Sequence, residues 1–418
     1  MASYKNIFGP VKTDKYDAGT AVEAAIKQGA SNMRVIRVTD GTDAAASIAL
    51  KDTVTTPVTG ATLTSKYTGT YGNNITAKLS AGPKASTLKV TIAMPNSVPE
   101  VFNNIAGSGA TFWQNLVNAV NLGLSGVRGP SNLVVATIGT STATPATSTY
   151  TASGGTDGKT TITGSTLLGS DTIPRKGMYA LRNTKASIAL LADCDSTANW
   201  TDQVTFGLAE GIYMILVGPC GQSVDDAVSA KSTAGIDSYA AKVLLGDWCY
   251  YNDTTNNQIR LISPQGFVAG RLANLSPQHS SLNKQIYGIV GTQKSSQNGV
   301  YSSAELGQLV NAGIDVITNP VPGGSFFGVR IGHNSSSDEN VWGDNYTRMT
   351  NYIAYTLNSG MGKCVGKLQT TDERLEAKAT LESFLKNMQD QKMIGDVNGG
   401  SGFKVTLNSS NNPDSRVA

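Results

Sequence analysis

Lys66-Tyr67-Thr68-Gly69-Thr70-Tyr71-Gly72-Asn73-Asn74 opens a stretch that Gly154-Gly155-Thr156-Asp157-Gly158 closes. Between these two glycine-rich runs the chain is polar and β-prone, rich in Thr and Ser and cut by Gly, Pro and Asn. Beyond them it turns to alternating helix and strand patterns. The pair of runs therefore brackets a region of different architecture from the rest.

Within residues 53–170 the β-prone runs are 75–79, 87–93 and 133–138, and only residues 111–122 carry helical spacing, through Phe112, Leu116, Val117 and Val120. This predicts a compact β domain inserted into an α/β layer. Residues 140–151 (TSTATPATSTYT) lack the apolar mass for a core and are expected as a solvated loop or an edge. Ahead of the insertion, residues 20–28 read as a helix stopped by Gly29, and residues 33–38 (MRVIRV) as a strand stopped by Asp40-Gly41. After Lys176 the alternation is regular. Strands are predicted at 186–191, 212–217 (IYMILV) and 242–251, with helices at 223–232, 265–274, 303–311 and 345–368. Ser302 with Glu305 and Thr370 with Glu373 have capping-box spacing. A last helix over 371–392 carries an apolar stripe opposite Arg374, Lys378, Glu382 and Lys386, with Glu382 and Lys386 placed for an ion pair. Phe403, Val405 and Leu407 alternate as a final strand before the chain runs out through Asn411-Asn412-Pro413.

The 418 residues suffice for two or three domains, each with its own core. Only 15% of residues are charged, against about 25% in ordinary soluble domains, which suits extensive burial in an assembly as well as a turn-rich β domain. A net charge of +3 with no Lys/Arg run argues against nucleic acid as a partner. No stretch approaches the length of a membrane span and the start carries no apolar signal segment, so no membrane insertion is expected. Cys194, Cys220, Cys249 and Cys364 form no C-x-x-C pair and read as small buried apolar residues.

Catalytic chemistry finds little to build on. The two histidines are His279, in a polar loop, and His333, before an acidic turn. Asp193, His279 and a later Ser satisfy a subtilisin order on paper, with no strained nucleophile elbow around any Ser. The loop at residues 218–223 has the place of an anion cradle but lacks a Walker lysine, and Asp225-Asp226 fill the first turn of the helix it leads to. Asp193 and Asp195 are two carboxylates without a metal-ligand loop. No cofactor or metal is expected, and the reading is non-enzymatic.

Taken in order, these blocks resemble the tail sheath proteins of contractile bacteriophage tails over residues 21–418. The likeness rests on residues 34–38, on the two glycine runs, on Ser263-Pro264-Gln265-Gly266-Phe267-Val268-Ala269-Gly270, on Gly328-Val329-Arg330, and on Arg348, Tyr352 and Ile353 in the long helix that follows. It implies an α/β and α+β multidomain protein, with a doubly wound, subtilisin-like sheath domain, an inserted β-sandwich or barrel-like domain and an α+β C-terminal domain. The corresponding ranges are 1–52 for the first part of the α/β core, 53–170 for the insertion, 171–300 for the subtilisin-like part and 301–418 for the tube-facing part. It further implies a homo-oligomer, a helical sheath of stacked rings of six-fold order, around a tail tube protein and ending on baseplate and tail terminator proteins. Contraction would drive the tube through the host envelope for genome delivery, with terminal arms joining neighbours by strand addition. Such a protein sits in the virion tail and is assembled in the host bacterial cytoplasm. A full-length relative is expected to carry more chain before Asn6 and after Asn412-Pro413-Asp414, so either the arms are short here or, the favoured reading, this chain is a core without its linking arms. Because the resemblance puts the C-terminal domain on the inside of the sheath, Lys363, Lys367, Arg374 and Lys378 are candidate tube-facing cations. Two other readings stand beside it: a carbohydrate- or surface-binding tail module using Tyr67, Tyr71 and Tyr150, and a subtilisin-like hydrolase.

Overall fold

The computed structural model describes residues 1–368, 370–396 and 398–407. The chain divides into two compact units: Met1–Val11 with Arg37–Thr166, and Lys12–Ile36 with the described residues of Leu167–Ala418. Two helices precede the first strand, α1 (Ala2–Phe8) in the first unit and α2 (Ala18–Lys27) in the second. Asp17 caps α2 by accepting from the Thr20 N–H at 3.0 Å. Residues 33–38, expected as a strand, form none. They are half-buried where the chain passes from one unit to the other, between Ile36 and Arg37. The Arg37 guanidinium is held instead by Thr68 Oγ1 at 2.8 Å and the Asp157 carbonyl at 2.9 Å.

The first unit carries β1 (Ala45–Lys51), β2 (Thr59–Thr68), β3 (Thr76–Ala81), β4 (Leu88–Ala93), β5 (Glu100–Ile105), β6 (Val134–Ile138) and β7 (Thr149–Thr151). All pair antiparallel, in sheets of order β1-β2-β6 and β5-β4-β3-β7. Burial alternates along β1, the period of two that puts one face inward. Ile48, Leu50, Leu63, Val90, Ile92 and Phe102 from both sheets share a core with Phe112, Trp113 and Leu116 of α3 (Gly109–Leu122). The Thr-rich segment 140–151 supplies β7 to one sheet, and its Ala146 N–H donates to the Lys51 carbonyl at 2.9 Å, so the same stretch also reaches β1 of the other. The edge role is one of the two expected of it, and its backbone does the pairing.

After Lys12–Ile36, the second unit resumes within α4 (Gly164–Leu168). It adds β8 (Ile188–Ala189), β9 (Tyr213–Val217), β10 (Ala241–Leu244), β11 (Cys249–Asp253), β12 (Gln258–Ile262), β13 (Ile289–Thr292), β14 (Ile314–Asp315), β15 (Ile317–Thr318) and β16 (Gly328–Val329). Its further helices are α5 (Trp200–Glu210), α6 (Val224–Ala234), α7 (Gln265–Asn274), α8 (Gln293–Ser296), α9 (Ser303–Asn311), α10 (Asp344–Gly360) and α11 (Thr371–Asp390). Strands β8, β9, β10 and β14 form a parallel sheet in that spatial order. Each strand is added on the same side, so these four lack the reversal of order that marks a doubly wound sheet. Every residue of β9 is buried, as its unbroken apolar run requires. Tyr213, Ile215 and Val217 face Phe267, Val268 and Leu272 of α7. Gly266 and Gly270 let α2 lie directly on α7, since a Cβ at Gly270 would stand 2.4 Å from Ala25 Cα.

Toward the C-terminus several local expectations shift. The long helix stops at Gly360 rather than near residue 368. Ser302 and Glu305 form the expected capping box, whereas Glu373 turns its carboxylate to Lys367 and leaves Thr370 as a one-sided cap. Glu382 pairs back to Lys378 at 3.6 Å and Lys386 forward to Asp390 at 2.9 Å, so the Glu382–Lys386 pair gives way to two flanking ones. Residues 403–407 belong to no strand, and residues 408–418 lie outside the described residues. Cys194 and Cys249 are buried as expected, but Cys220 is exposed in a loop and Cys364 half-buried.

Candidate functional site

Lys242 is the lone charge in an apolar run on β10, and it is fully buried. An ammonium there must be paired and hydrogen-bonded. Its Nζ donates to Asp315 Oδ2 at 2.6 Å, to the His333 carbonyl at 2.9 Å and to Asp344 Oδ2 at 3.4 Å. Asp315, on the adjacent strand β14, also accepts the N–H groups of Val316 at 2.8 Å, Ile331 at 3.0 Å and Gly332 at 2.7 Å. Asp344 opens α10, where a carboxylate favours the helix dipole, and accepts from the Ser281 N–H at 3.1 Å and from its hydroxyl. One turn on, Arg348 donates to the carbonyls of Leu275, Ser276 and His279, closing the C-terminal end of α7.

Burial alone would raise Asp315, but the Lys242 charge and hydrogen bond reverse this and hold it below the usual carboxylate range. Burial alone would likewise lower Lys242, and Asp315 with Asp344 keep it raised and charged. Burial pushes His333 down, so its imidazole is neutral at pH 7, stacked on Trp342 with ring centroids 5.6 Å apart. Lys, Asp, Ser and His are the residue types of a hydrolase. Here Lys242, Asp315, Asp344 and Ser281 are all fully buried, so no substrate reaches them. What the cluster can do is bolt β10, β14 and the start of α10 together.

This cluster was missed in the sequence because its members lie 73 and 102 residues apart. A signal was there: Lys242 and Asp315 are single opposite charges, each inside an apolar strand.

The residues singled out for chemistry are placed elsewhere. His279 is exposed after α7, and among the described residues nothing joins it to Asp193. Asp193 is raised to about 6 by burial, with backbone N–H groups of Tyr16 and Ser263 bonded to it. Asp195 pairs with Lys15 at 3.1 Å. In the 218–223 loop, the Gly221 N–H is taken by Gln293 Oε1 at 3.0 Å and the Gly246 carbonyl at 2.8 Å, and Ser223 caps α6 by accepting from the Asp226 N–H. Those donors are therefore not aimed at an anion. Among the described residues no group of three or more His, Cys, Asp or Glu could hold a metal ion, and no helix is long and apolar enough to cross a membrane.

The two glycine runs that opened the reading meet in space. Asp157 accepts from Thr70 N–H at 2.7 Å and its hydroxyl at 2.8 Å, and Asn73 exchanges two bonds with Gly155 at 2.8 and 3.1 Å. A Cβ at Gly155 would stand 2.4 Å from the Gly69 carbonyl oxygen. Tyr71 and Tyr150 pack on the core of this unit, leaving Tyr67 as the exposed ring of the three.

The four C-terminal cations lie just before or on α11. Lys363 faces Glu376 at 3.7 Å, Lys367 meets Glu373 at 2.8 Å and Lys378 meets Glu382 at 3.6 Å, so these charges are offset within the chain. Arg374 stands in the first turn of α11. The helix buries Ala377 and Met388, and Val365, Leu368 and Leu375 are 60–75% exposed.

No family model matches the chain, and no curated protein does. Solved structures do. The sheath tail protein of Listeria innocua superposes with a TM-score of 0.59 at 15% identity, over 88% of this chain and 76% of that one. The sheath tail protein of Desulfitobacterium hafniense gives 0.55 at 15% identity, over 90% of this chain and 78% of that one. The chain thus shares the mixed α/β, multi-sheet fold of sheath tail proteins.

Proposed function

We propose that this chain is a structural, non-enzymatic subunit of the contractile tail sheath of a bacteriophage. The observation that carries the reading is the fold likeness to two sheath tail proteins across 88–90% of the chain. Copies would wind as a helix of stacked, six-fold rings around a tail tube, between baseplate and terminator proteins, in the virion tail after assembly in the host cytoplasm. Contraction would slide and rotate subunits as bodies and drive the tube through the host envelope. The buried Lys242 cluster supports rigid-body motion, because it ties the parallel sheet to α10. On this reading residues 1–52 and 171–300 serve as the α/β, subtilisin-like sheath domain, whose parallel sheet is completed by β14 from the last part, residues 53–170 as the inserted domain and residues 301–418 as the tube-facing part.

Lys363, Lys367, Arg374 and Lys378 remain the proposed tube contact. The ion pairs of three of them mean that docking would exchange internal for external partners rather than engage a bare cationic face. Unchanged co-assembly of a Lys367→Glu/Arg374→Glu variant with the tube protein would remove that contact. For the function as a whole, negative-stain electron microscopy of the purified chain beside a version extended at both termini, over a range of salt concentrations, is the test. Hollow striated tubes or rings are expected at least from the extended version, and two folded versions that form neither under any condition would overturn the assignment.

A further inference from the structure

Strand β6 ends its sheet, with no further strand on its outer side among the described residues. The run Leu133-Val134-Val135-Ala136-Thr137-Ile138 is uncharged, β-branched and free of proline, the composition of segments that pair edge to edge with copies of themselves. Val135 is 45% exposed and Ile138 51%, so apolar side chains are already presented there. Such an edge normally invites another chain.

Helix α3 lies beside this edge, and one of its side chains makes the bonds of the missing strand. Asn121, in the last turn of α3, donates from Nδ2 to the Ala136 carbonyl at 2.8 Å and accepts through Oδ1 from the Ala136 N–H at 2.8 Å. These are the two bonds that an antiparallel neighbour would make to that residue. The Val134 N–H is also taken, by Ser131 Oγ at 3.1 Å. The two-point amide pattern recurs where Asn73 meets Gly155 and where Gln28 meets Tyr287 at 2.8 and 2.9 Å. No lysine stands in the run of β6, and here a carboxamide takes the part that an edge lysine would play.

We propose that Asn121 holds β6 closed against strand addition by a second copy of this chain, and that β6 is a self-pairing surface once that amide is gone. The inference is independent of the sheath reading, because wild type and variant are compared at concentrations where the wild-type chain is dispersed. In Asn121→Ala, light scattering is expected to show an apparent mass that rises with concentration to about double that of wild type, as for a paired dimer. The near-UV circular dichroism should stay that of wild type. Adding Thr137→Lys puts a charge on the exposed face beside Ala136 and should return the mass to the wild-type value. Asn121→Asp, which still accepts from the N–H but cannot donate to the carbonyl, should fall between. Wild-type mass for Asn121→Ala at every concentration would overturn the proposal. So would association that Thr137→Lys leaves in place, or a lost near-UV signal, which would mark collapse of the core instead of an opened edge.

Discussion

Two regions of the second unit solve the problem of charge in opposite ways. Around β10 and β14, Lys242, Asp315 and Asp344 are wholly buried and meet three elements at once. Along α11 the ion pairs are local and wet, with Lys386 and Asp390 each about three-fifths exposed. A twenty-residue helix that buries two side chains gains little from its own packing. The first region is complete within one chain. The second has contacts to spare, which is what a surface completed by other subunits would look like.

The sharpest way to break this contrast is Lys242→Met. It leaves Asp315 and Asp344 buried without a counter-charge, and is expected to cost about 3–5 kcal/mol in denaturant unfolding. Acid should probe the same cluster. Because Asp315 titrates below its usual 3.8 when folded, its stabilisation is present above that value and is lost as pH falls through the lower folded pKa. The wild type should therefore lose stability in that acid window, and the Lys242→Met variant should lose less. Arg348→Met, which strips the donors from three carbonyls at the end of α7, should cost roughly 1–3 kcal/mol. At the far end, Lys386→Ala should change stability by no more than about 0.5 kcal/mol. A large loss from Lys386→Ala would make the two regions alike.

Much of this architecture is legible from local signals. Residues 265–274 and 303–311 read as helices to the residue, because their caps and apolar spacing agree with what they pack against. The buried β9 follows from IYMILV in the same way. Residues 33–38 mislead, since an apolar run says that burial is wanted but not that a neighbouring strand is at hand. The glycine runs are legible as brackets of the β-prone region, but that they clasp each other through Asn73 and Asp157 depends on a loop closure of more than 80 residues. The ionic cluster shows in the sequence only as two single opposite charges inside apolar strands, and their pairing is hidden for the same reason, being a contact between distant strands. The cations of α11 were legible as a charged face, but not their internal partners, because rotamers choose among several acids at helical spacing.

Hydrogen exchange followed in dispersed chain and in assembled tubes tests the central claim most directly. The account predicts slow exchange in β9 and β10 in both states, with α11 fast when dispersed and protected once assembled. Protection of α11 in the dispersed chain equal to that of β9, or no gain on assembly, would contradict it.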